Sequence, residues 1–459
     1  MYTIYSVVIV AFFALMSPYL VYQALRYRKY VSSLPQRLGY LPVSFNLDGD
    51  ESIWIHAVSV GEVLTARALL PDLRQRYPRL RIFLSTTTMT GQEIARNNLQ
   101  FVDAVFYFPF DFAFIVNRTL LLVRPRIFIM METEIWPNLL RACRRAGVKT
   151  MLANGRISSR SYPRYRLARR FFEPVLRDVD RFCMQSDESA RRIVDIGAEP
   201  ARVTVTGSLK FDSLEGPFDS PQGLAQGRPA GPAGDLAGRN RVLRYFRIRP
   251  ERPVVMAAST RKGEEGFVLE AFQRIRATLP GALLIIAPRK PEQWDEVERL
   301  ARRGGWRVAR RSELPVDGEP RQDIVLLDTV GELAQLYQVA TVVFVGGSLV
   351  DTGGHNILEP AVFGKPIVFG PHMQNFAEIA RAFLDNGAAV QVRSGRELQG
   401  VLLDLLGDPV RRASLGAAAR ALVEANKGAR GRTLDAIAEL LPQESSASNV
   451  RPFRRVERG

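Results

Sequence analysis

The sequence has few of the residues that build disulfide scaffolds and metal centres. Its 459 residues include two cysteines, Cys143 and Cys183, and three histidines, His56, His355 and His372. Two cysteines exclude a disulfide framework and fit a reducing compartment. The histidines lack the spacing of a zinc-ligand set, so no metal and no other cofactor is expected.

Acidic residues are fewer than basic residues. Lys and Arg outnumber Asp and Glu by 63 to 47, which gives a formal charge of +16, and the stretch from Arg141 to Arg170 has ten cations and no carboxylate. Charge alone fits nucleic acid, an acidic membrane surface or a phosphorylated substrate. A nucleic-acid groove would need stacking aromatic residues or a known recognition fold, and neither is found. A solvated helix face is the alternative, but ten cations without a carboxylate exceed what such a face usually has. The stretch therefore predicts contact with anionic lipid, and no nucleic-acid partner.

The glycine fingerprint of a dinucleotide-dependent oxidoreductase is missing. The turn after the first predicted strand reads SVGEVL, from Ser59 to Leu64, instead of G-x-G-x-x-G. This argues against an oxidoreductase. A non-enzymatic basic binder stays as another class, but it would have no need for carboxylates at the ends of strands.

One long apolar run is present, at the N-terminus. Residues 2–25 are almost uninterrupted apolar sequence, and Arg26, Arg28 and Lys29 follow. We expect residues 1–25 to be a membrane anchor, with the rest of the chain on the cytoplasmic face of the inner (plasma) membrane. A cleaved signal peptide is the alternative, but it would begin with a basic segment. Pro18 leaves open whether the helix spans the bilayer or lies in its surface.

After this run, short apolar segments alternate with helical patterns, seven times between residues 53 and 205 and six times between residues 254 and 392. The alternation predicts an α/β protein with two doubly wound, Rossmann-like domains, at residues 26–213 and 251–441. Residues 214–250 are rich in Gly and Pro and are expected to be a linker or loop. Residues 442–459 are predicted to be a basic disordered tail.

The segment from Val342 to Pro371 reads as strand, Gly-rich turn, short helix and strand, which is typical of a nucleotide-binding backbone. Gly353 and Gly354 let the backbone approach a ligand, and Asn356 can cap the helix. Glu359, three residues later, could accept hydrogen bonds from ribose hydroxyls. An ordinary strand-to-helix turn is the alternative, because glycines alone are weak evidence.

Five segments occur in an order and spacing that resemble one family: HAVSVGE (56–62), METEIWPN (131–138), GSLKFD (207–212), APRKPE (287–292) and GGHNILEP (353–360). Together they resemble the 3-deoxy-D-manno-octulosonate (Kdo) transferases. The resemblance implies a GT-B fold, with two domains facing across a cleft, and an inverting transfer of Kdo from CMP-Kdo to a hydroxyl of the tetraacyl lipid A precursor, lipid IVA. Another membrane-associated GT-B enzyme that uses a UDP-sugar and a lipid acceptor is the alternative.

Three residues at predicted strand ends are candidates for catalysis. Glu62 could take the proton of the acceptor hydroxyl, or it could simply favour the dipole of its helix, and spacing alone leaves both open. Glu132 and Glu134 follow the apolar strand IFIMM, and one of them could be structural. Lys210, without the resemblance, could be a solvated surface cation, although it follows a predicted strand and Gly207. The resemblance implies that Glu62 is the general base and that Glu132 and Lys210 stabilise the transition state.

The same resemblance places CMP against nine residues at strand-to-helix turns of the second domain: Pro288, Arg289, Gly331, Glu332, Leu333, Asn356, Ile357, Leu358 and Glu359. Arginine can bind a phosphate with two hydrogen bonds. Two positions depart from the family, which commonly has His where this chain has Arg261 and Lys290; both keep a positive charge but lose a titrating imidazole. Asp178 and Asp180 form a D-x-D pattern that we interpret as a turn, not a metal site.

Overall fold

The computed structural model describes residues 2–27, 33–46, 48–98, 101–212, 248, 251–314, 320–329 and 331–442. It divides into two α/β units, one formed by residues up to 213 together with those from 427 onward, and the other by residues 214–426. The predicted linker (214–250) and basic tail (442–459) fall almost wholly outside the described residues.

The first unit is built on a sheet of seven parallel strands: β1 Ser52–His56, β2 Arg81–Thr86, β3 Ala104–Tyr107, β4 Pro125–Met131, β5 Lys149–Gly155, β6 Arg181–Met184 and β7 Val203–Val205. Their spatial order is β3-β2-β1-β4-β5-β6-β7. The central strands are covered on both faces, which is why they read as continuous apolar runs. The helices before residue 213 are α1 Tyr2–Tyr27, α2 Leu34–Arg37, α3 Val60–Arg67, α4 Leu70–Arg76, α5 Met89–Asn98, α6 Ala113–Val123, α7 Pro137–Arg145, α8 Tyr162–Leu167, α9 Arg169–Leu176 and α10 Asp187–Ile196.

The second unit also has a seven-stranded parallel sheet: β8 Val254–Thr260, β9 Leu283–Pro288, β10 Val308–Arg310, β11 Ile324–Leu326, β12 Val342–Val345, β13 Ile367–Phe369 and β14 Val390–Gln391, in the order β10-β11-β9-β8-β12-β13-β14. Its helices are α11 Glu265–Thr278, α12 Trp294–Arg303, α13 Leu333–Leu336, α14 Leu358–Val362, α15 Ala377–Asp385, α16 Gly395–Gly407 and α17 Pro409–Asn426. Two doubly wound domains are thus confirmed. Strand β10 is not predicted from the sequence, because it has only two apolar residues between arginines.

The last helix, α18 (Ala429–Leu440), belongs to the first unit. Leu434 and Ile437 are buried in the same core as β1 and β2, and the Tyr77 hydroxyl donates a hydrogen bond to the Leu441 carbonyl at 2.7 Å. The predicted second domain, 251–441, therefore needs correction, because the second unit ends at Asn426. An apolar stripe on a helix shows that it is buried, but not which core buries it.

Helix α1 packs against the first unit along one side. The Tyr2 hydroxyl donates to Asp178 at 2.6 Å, and the rings of Phe13 and Phe110 lie 4.8 Å apart between centroids. Among the residues that the structure describes, none of the helices combines the length and the apolar character that crossing a bilayer requires. The predicted anchor is not confirmed.

Candidate active site

Both sheets have a point where the strand order reverses, between β1 and β4 in the first unit and between β8 and β12 in the second. At such a point the connections leave for opposite faces of the sheet and open a crevice at the carboxyl ends of the strands. Glu62 follows β1 and Glu132 follows β4. In the second unit, Arg261 follows β8, and the Gly346–Gly347 turn follows β12. Both reversal points therefore carry polar groups suited to a ligand.

Glu62 lies in the first turn of α3, and its carboxylate accepts hydrogen bonds from the Val58 amide at 2.6 Å and the Ser59 hydroxyl at 3.2 Å. Burial raises the pKa of this carboxyl to about 7; the negative charge of Glu132 acts in the same direction, and the Val58 amide opposes both. The carboxylate therefore anchors its turn and can also accept a proton near neutral pH, so both interpretations of Glu62 agree with the geometry.

Glu132 pairs with Lys210, with 3.2 Å between Oε1 and Nζ. Its backbone is left-handed, at φ 57°, and its amide donates to the Ala153 carbonyl at 3.0 Å. This conformation costs a residue with a β-carbon about 1–3 kcal/mol, and it persists where the surroundings impose it, often at functional sites. The first residue after β4 is thus held in a strained geometry that presents its carboxylate to the lysine.

Hydrogen bonds hold the turn that carries Lys210 on both sides. The side-chain oxygen of Asn154, a fully buried residue, accepts from the Leu209 amide at 3.0 Å. On the other side, Asp212 accepts from the amides of Gly428 and Arg430, both at 2.8 Å, where α18 begins. Sequence reasoning missed Asn154, although a polar residue near the end of the apolar strand TMLANG was a possible signal.

Glu134 joins the same cluster. Its Oε2 accepts from the Trp136 indole at 3.1 Å and lies 3.9 Å from Nε2 of His56. Burial, and then the charge of Glu62, raises the pKa of Glu134 to about 7. His56 is fully buried and stacks on Phe108, and burial lowers its pKa to about 3, so its ring is neutral. The negative charges of Glu62 and Glu132 thus act on Glu134, Lys210 pairs with Glu132, and the cluster favours uptake of a proton near neutral pH.

The predicted nucleotide residues of the second unit follow strands β9, β11 and β12, whose carboxyl ends share one edge of the sheet. Arg289 has an exposed side chain, and its amide donates to the Thr260 carbonyl at 3.0 Å. Glu332 accepts from the Thr329 hydroxyl at 2.6 Å and lies 3.1 Å from the Arg311 guanidinium. Gly331, at φ 91°, and Leu333 flank it, and Pro288 is buried in β9.

Asn356 organises the turn before α14. Its Oδ1 accepts from the Leu358 amide at 3.1 Å, and its amide nitrogen donates to Glu359 Oε1 at 3.1 Å. Burial raises the pKa of Glu359, while Asn356 and the charge of Arg289 oppose this. Ile357 and Leu358 have fully buried side chains, so only their backbone could meet a ligand.

The aspartates of the D-x-D pattern and the first arginines of the basic stretch make contacts within the first unit. Asp178 is buried and lies 3.1 Å from Arg144, and Asp180 accepts from the Thr150 amide at 2.8 Å, so both aspartates serve the fold, as predicted. Arg141 and Arg144, at the start of the basic stretch, pair with Asp178 instead of facing only solvent. Within the described part of the chain, no group of three or more His, Cys, Asp or Glu is arranged to hold a metal ion.

The chain is similar to known Kdo transferases over most of its length. A profile of the family described as 3-deoxy-D-manno-octulosonic-acid transferase (kdotransferase) matches residues 32–213. The 3-deoxy-D-manno-octulosonic acid transferase of Haemophilus influenzae is 32% identical over 415 residues, covering 89% of this chain and 91% of that protein. The enzyme of the same name from Bordetella pertussis is 36% identical over 401 residues, covering 85% and 87%.

A solved structure has a similar fold. The crystal structure of UDP-GlcNAc 2-epimerase from Neisseria meningitidis bound to UDP-GlcNAc covers 86% of this chain and 100% of that chain, with a TM-score of 0.55 and 11% sequence identity. The likeness shows two parallel-sheet α/β domains of GT-B type.

Proposed function

This chain belongs to the Kdo transferase family and is therefore a glycosyltransferase, and we propose that it moves Kdo from CMP-Kdo to a hydroxyl of lipid IVA, the tetraacyl lipid A precursor. The observation that carries the proposal is the cluster at the first reversal point, where Glu62 has a pKa raised to about 7 beside the Glu132–Lys210 pair. Inverting transfer needs a base and charges of both signs around the transition state.

In the proposed reaction, Glu62 takes the proton of the acceptor hydroxyl while the hydroxyl oxygen attacks the anomeric carbon of Kdo. The bond from that carbon to the phosphate oxygen breaks, and CMP leaves with the electron pair. The carboxylate of Glu132 stabilises the positive charge of an oxocarbenium-like transition state. The ammonium group of Lys210 offsets the negative charge that develops on the leaving phosphate.

The donor is proposed to bind the second unit, with CMP against Pro288, Arg289, Gly331, Glu332, Leu333, Asn356, Ile357, Leu358 and Glu359. The exposed guanidinium of Arg289 binds the phosphate, and Glu359, fixed by Asn356 at 3.1 Å, accepts from the ribose. The carboxyl ends of the parallel strands β9, β11 and β12 lie at the same end of the sheet, which supports this placement.

A direct assay tests the proposed reaction. The full-length protein is incubated with Kdo, CTP, a CMP-Kdo-generating enzyme and lipid IVA, and the product lipid is weighed by mass spectrometry. We expect lipid heavier by one or more Kdo units, and no such product when CTP is omitted. A product formed only when a UDP-sugar replaces the donor system would contradict the proposal and favour the alternative glycosyltransferase.

The transfer step is predicted to need no divalent metal, because Arg289 and Lys210 supply the positive charge that the phosphate requires. With preformed CMP-Kdo, excess EDTA should leave the rate within about twofold of the untreated rate, since neither cation is lost. A rate that disappears with EDTA and returns with magnesium would show that the prediction is wrong.

The protein is further proposed to act at the cytoplasmic face of the plasma membrane, bound through α1. The side of α1 away from the first unit exposes apolar residues, among them Ile4, Val7, Val8 and Leu15. Leu167, 92% exposed, lies on the same unit within the basic stretch. An apolar face beside cations is typical of surfaces that bind anionic membranes.

We predict that Leu15→Glu weakens binding to anionic phospholipid vesicles by roughly tenfold or more, because burying a leucine contributes about 1.5–3 kcal/mol. Leu15 is 80% exposed, so the thermal unfolding temperature should not change. Val410→Glu, at a 79% exposed position on the second unit, is the matched control and should bind vesicles like the wild type. Equal vesicle binding by both variants would exclude α1 as the membrane contact.

A further inference from the structure

Two arginine side chains follow strands at the carboxyl end of the second sheet, and neither forms an ion pair with a carboxylate in the described part of the chain. Arg261 follows β8 and Arg289 follows β9, and no Asp or Glu among the described residues forms an ion pair with either side chain. By contrast, Lys262, on the same turn as Arg261, pairs with Glu296 at 3.0 Å. Two arginines without an ion-pair partner, at the end of the sheet where ligands bind, indicate a ligand with more than one negative charge.

A neutral histidine fixes Arg261. Its Nε donates to Nε2 of His355 at 3.3 Å, so His355 must accept at that atom and cannot carry a proton there. Burial, together with the charges of Arg261 and Arg289, lowers the pKa of His355 to about 4, which agrees with the neutral ring. His355 therefore orients the guanidinium without neutralising it, and the two terminal nitrogens of Arg261 remain for a ligand.

The buried carboxylate of Glu264 holds the backbone next to both Arg261 and His355. Glu264 is fully buried and accepts four backbone amides: Arg261 at 2.9 Å, Gly347 at 2.6 Å, Ser348 at 2.9 Å and Leu349 at 2.8 Å. It thereby ties the turn after β8 to the turn after β12. A β-carbon on Gly347 would lie 2.9 Å from the His355 ring, so His355 packs directly on the turn that Glu264 holds. The hydrogen bonds of Glu264 therefore hold the turns that position Arg261 and His355.

The two arginines differ in their neighbours. The charge of Arg289 acts on both Glu359, in the proposed ribose site, and His355, whereas Arg261 acts on His355. Arg289 is therefore nearer Glu359 than Arg261 is, and a donor whose ribose meets Glu359 would reach Arg261 beyond its phosphate. A nucleotide of a sugar acid carries a second anion, its carboxylate, beyond the phosphate, while a nucleotide of a neutral sugar carries none there.

We propose that Arg261, oriented by His355 and Glu264, binds the carboxylate of the donor sugar and selects a sugar-acid nucleotide over a neutral-sugar nucleotide. The inference rests on the proposed function and adds the residue that recognises the donor sugar. Arg289 remains the phosphate ligand.

The test compares the KM for CMP-Kdo with the inhibition constant of CMP, which lacks the carboxylate. In Arg261→Gln, the KM should rise roughly ten- to a hundredfold, the effect of losing a charge-assisted hydrogen bond, while inhibition by CMP stays within about twofold. Arg289→Gln should weaken both. Lys262→Gln removes a neighbouring cation and should change neither.

His355 acts by positioning Arg261, and this role can be measured separately. His355→Leu removes the acceptor and should raise the KM for CMP-Kdo without changing inhibition by CMP, whereas His355→Gln, whose amide oxygen can accept from Arg261, should recover most of the loss. Equal weakening of CMP and CMP-Kdo in Arg261→Gln, or no change in either, would overturn the inference while leaving the transfer function in place. No transfer by the wild type would overturn the function and the inference with it.

Discussion

Replacing Glu62 with glutamine should lower the rate of Kdo transfer roughly a hundredfold to ten-thousandfold, the usual loss when a general base is removed. Glutamine keeps the size of the side chain but cannot take the proton of the acceptor hydroxyl. The inhibition constant of CMP should stay nearly unchanged, because the proposed CMP residues belong to the second unit. The measurement is kcat with saturating lipid IVA, beside competitive inhibition by CMP.

The pH dependence should follow the same carboxyl. Because burial raises the pKa of Glu62 to about 7 and a base must be ionised to act, the wild-type rate should fall as the pH falls below about 7. The free energy of unfolding should change with pH in the opposite direction. A carboxyl whose pKa is higher in the folded state favours folding at low pH, and this contribution is lost as the pH rises from about 4.5 through 7. Glu62→Gln should lose the pH dependence of the rate and only part of the pH dependence of stability, because the pKa of Glu134 is also raised to about 7 by burial.

A second first-turn glutamate separates the base from a helix-terminal role. Glu188 lies in the first turn of α10 and pairs with Arg192, so Glu188→Gln should cost about 0.3–1 kcal/mol of stability and leave the transfer rate unchanged. If Glu62→Gln behaves like Glu188→Gln, with a lower melting temperature and a near wild-type rate, then Glu62 stabilises its helix and Glu132 becomes the first candidate for the base.

The fold could be read from the sequence to a large extent, because buried parallel strands are short apolar runs with turn residues at both ends. Each of the predicted runs is a strand in the structure. The two failures have physical causes. Strand β10 is too short to show a pattern, and α18 returns to the first unit through core contacts that join residues far apart, such as Tyr77 and Leu441.

The site could be predicted only where its residues directly follow strands. Glu62 and Glu132 come at strand ends, where parallel sheets bind ligands, although assigning their roles needed the resemblance. Glu264 could not be found in this way, because its partner Gly347 lies 83 residues away. Asn154 and His355 likewise act through turns from other parts of the chain. Such roles depend on register and packing, which a single sequence does not show.

The Glu132–Lys210 pair should behave as one catalytic unit. Glu132→Gln and Lys210→Met should each lower kcat by about 10²–10³-fold, the typical loss when one electrostatic contact to a transition state is removed. The side chains are in contact at 3.2 Å, so the double variant should lose little more than the worse single variant. The left-handed backbone of Glu132 is equally strained with glutamine, so the substitution changes charge and not local geometry.

A matched ion pair in the same unit shows whether such losses come from catalysis or from stability. Arg430 and Asp72 are 2.7 Å apart, and their side chains are 34% and 22% exposed, close to the 21% and 24% of Lys210 and Glu132. Arg430→Met should cost about 0–1 kcal/mol of stability, as for a partly exposed pair, and leave kcat within about twofold. If the losses of Glu132→Gln and Lys210→Met simply multiply in the double variant, the two side chains act on the reaction independently, and the ion pair only brings them close.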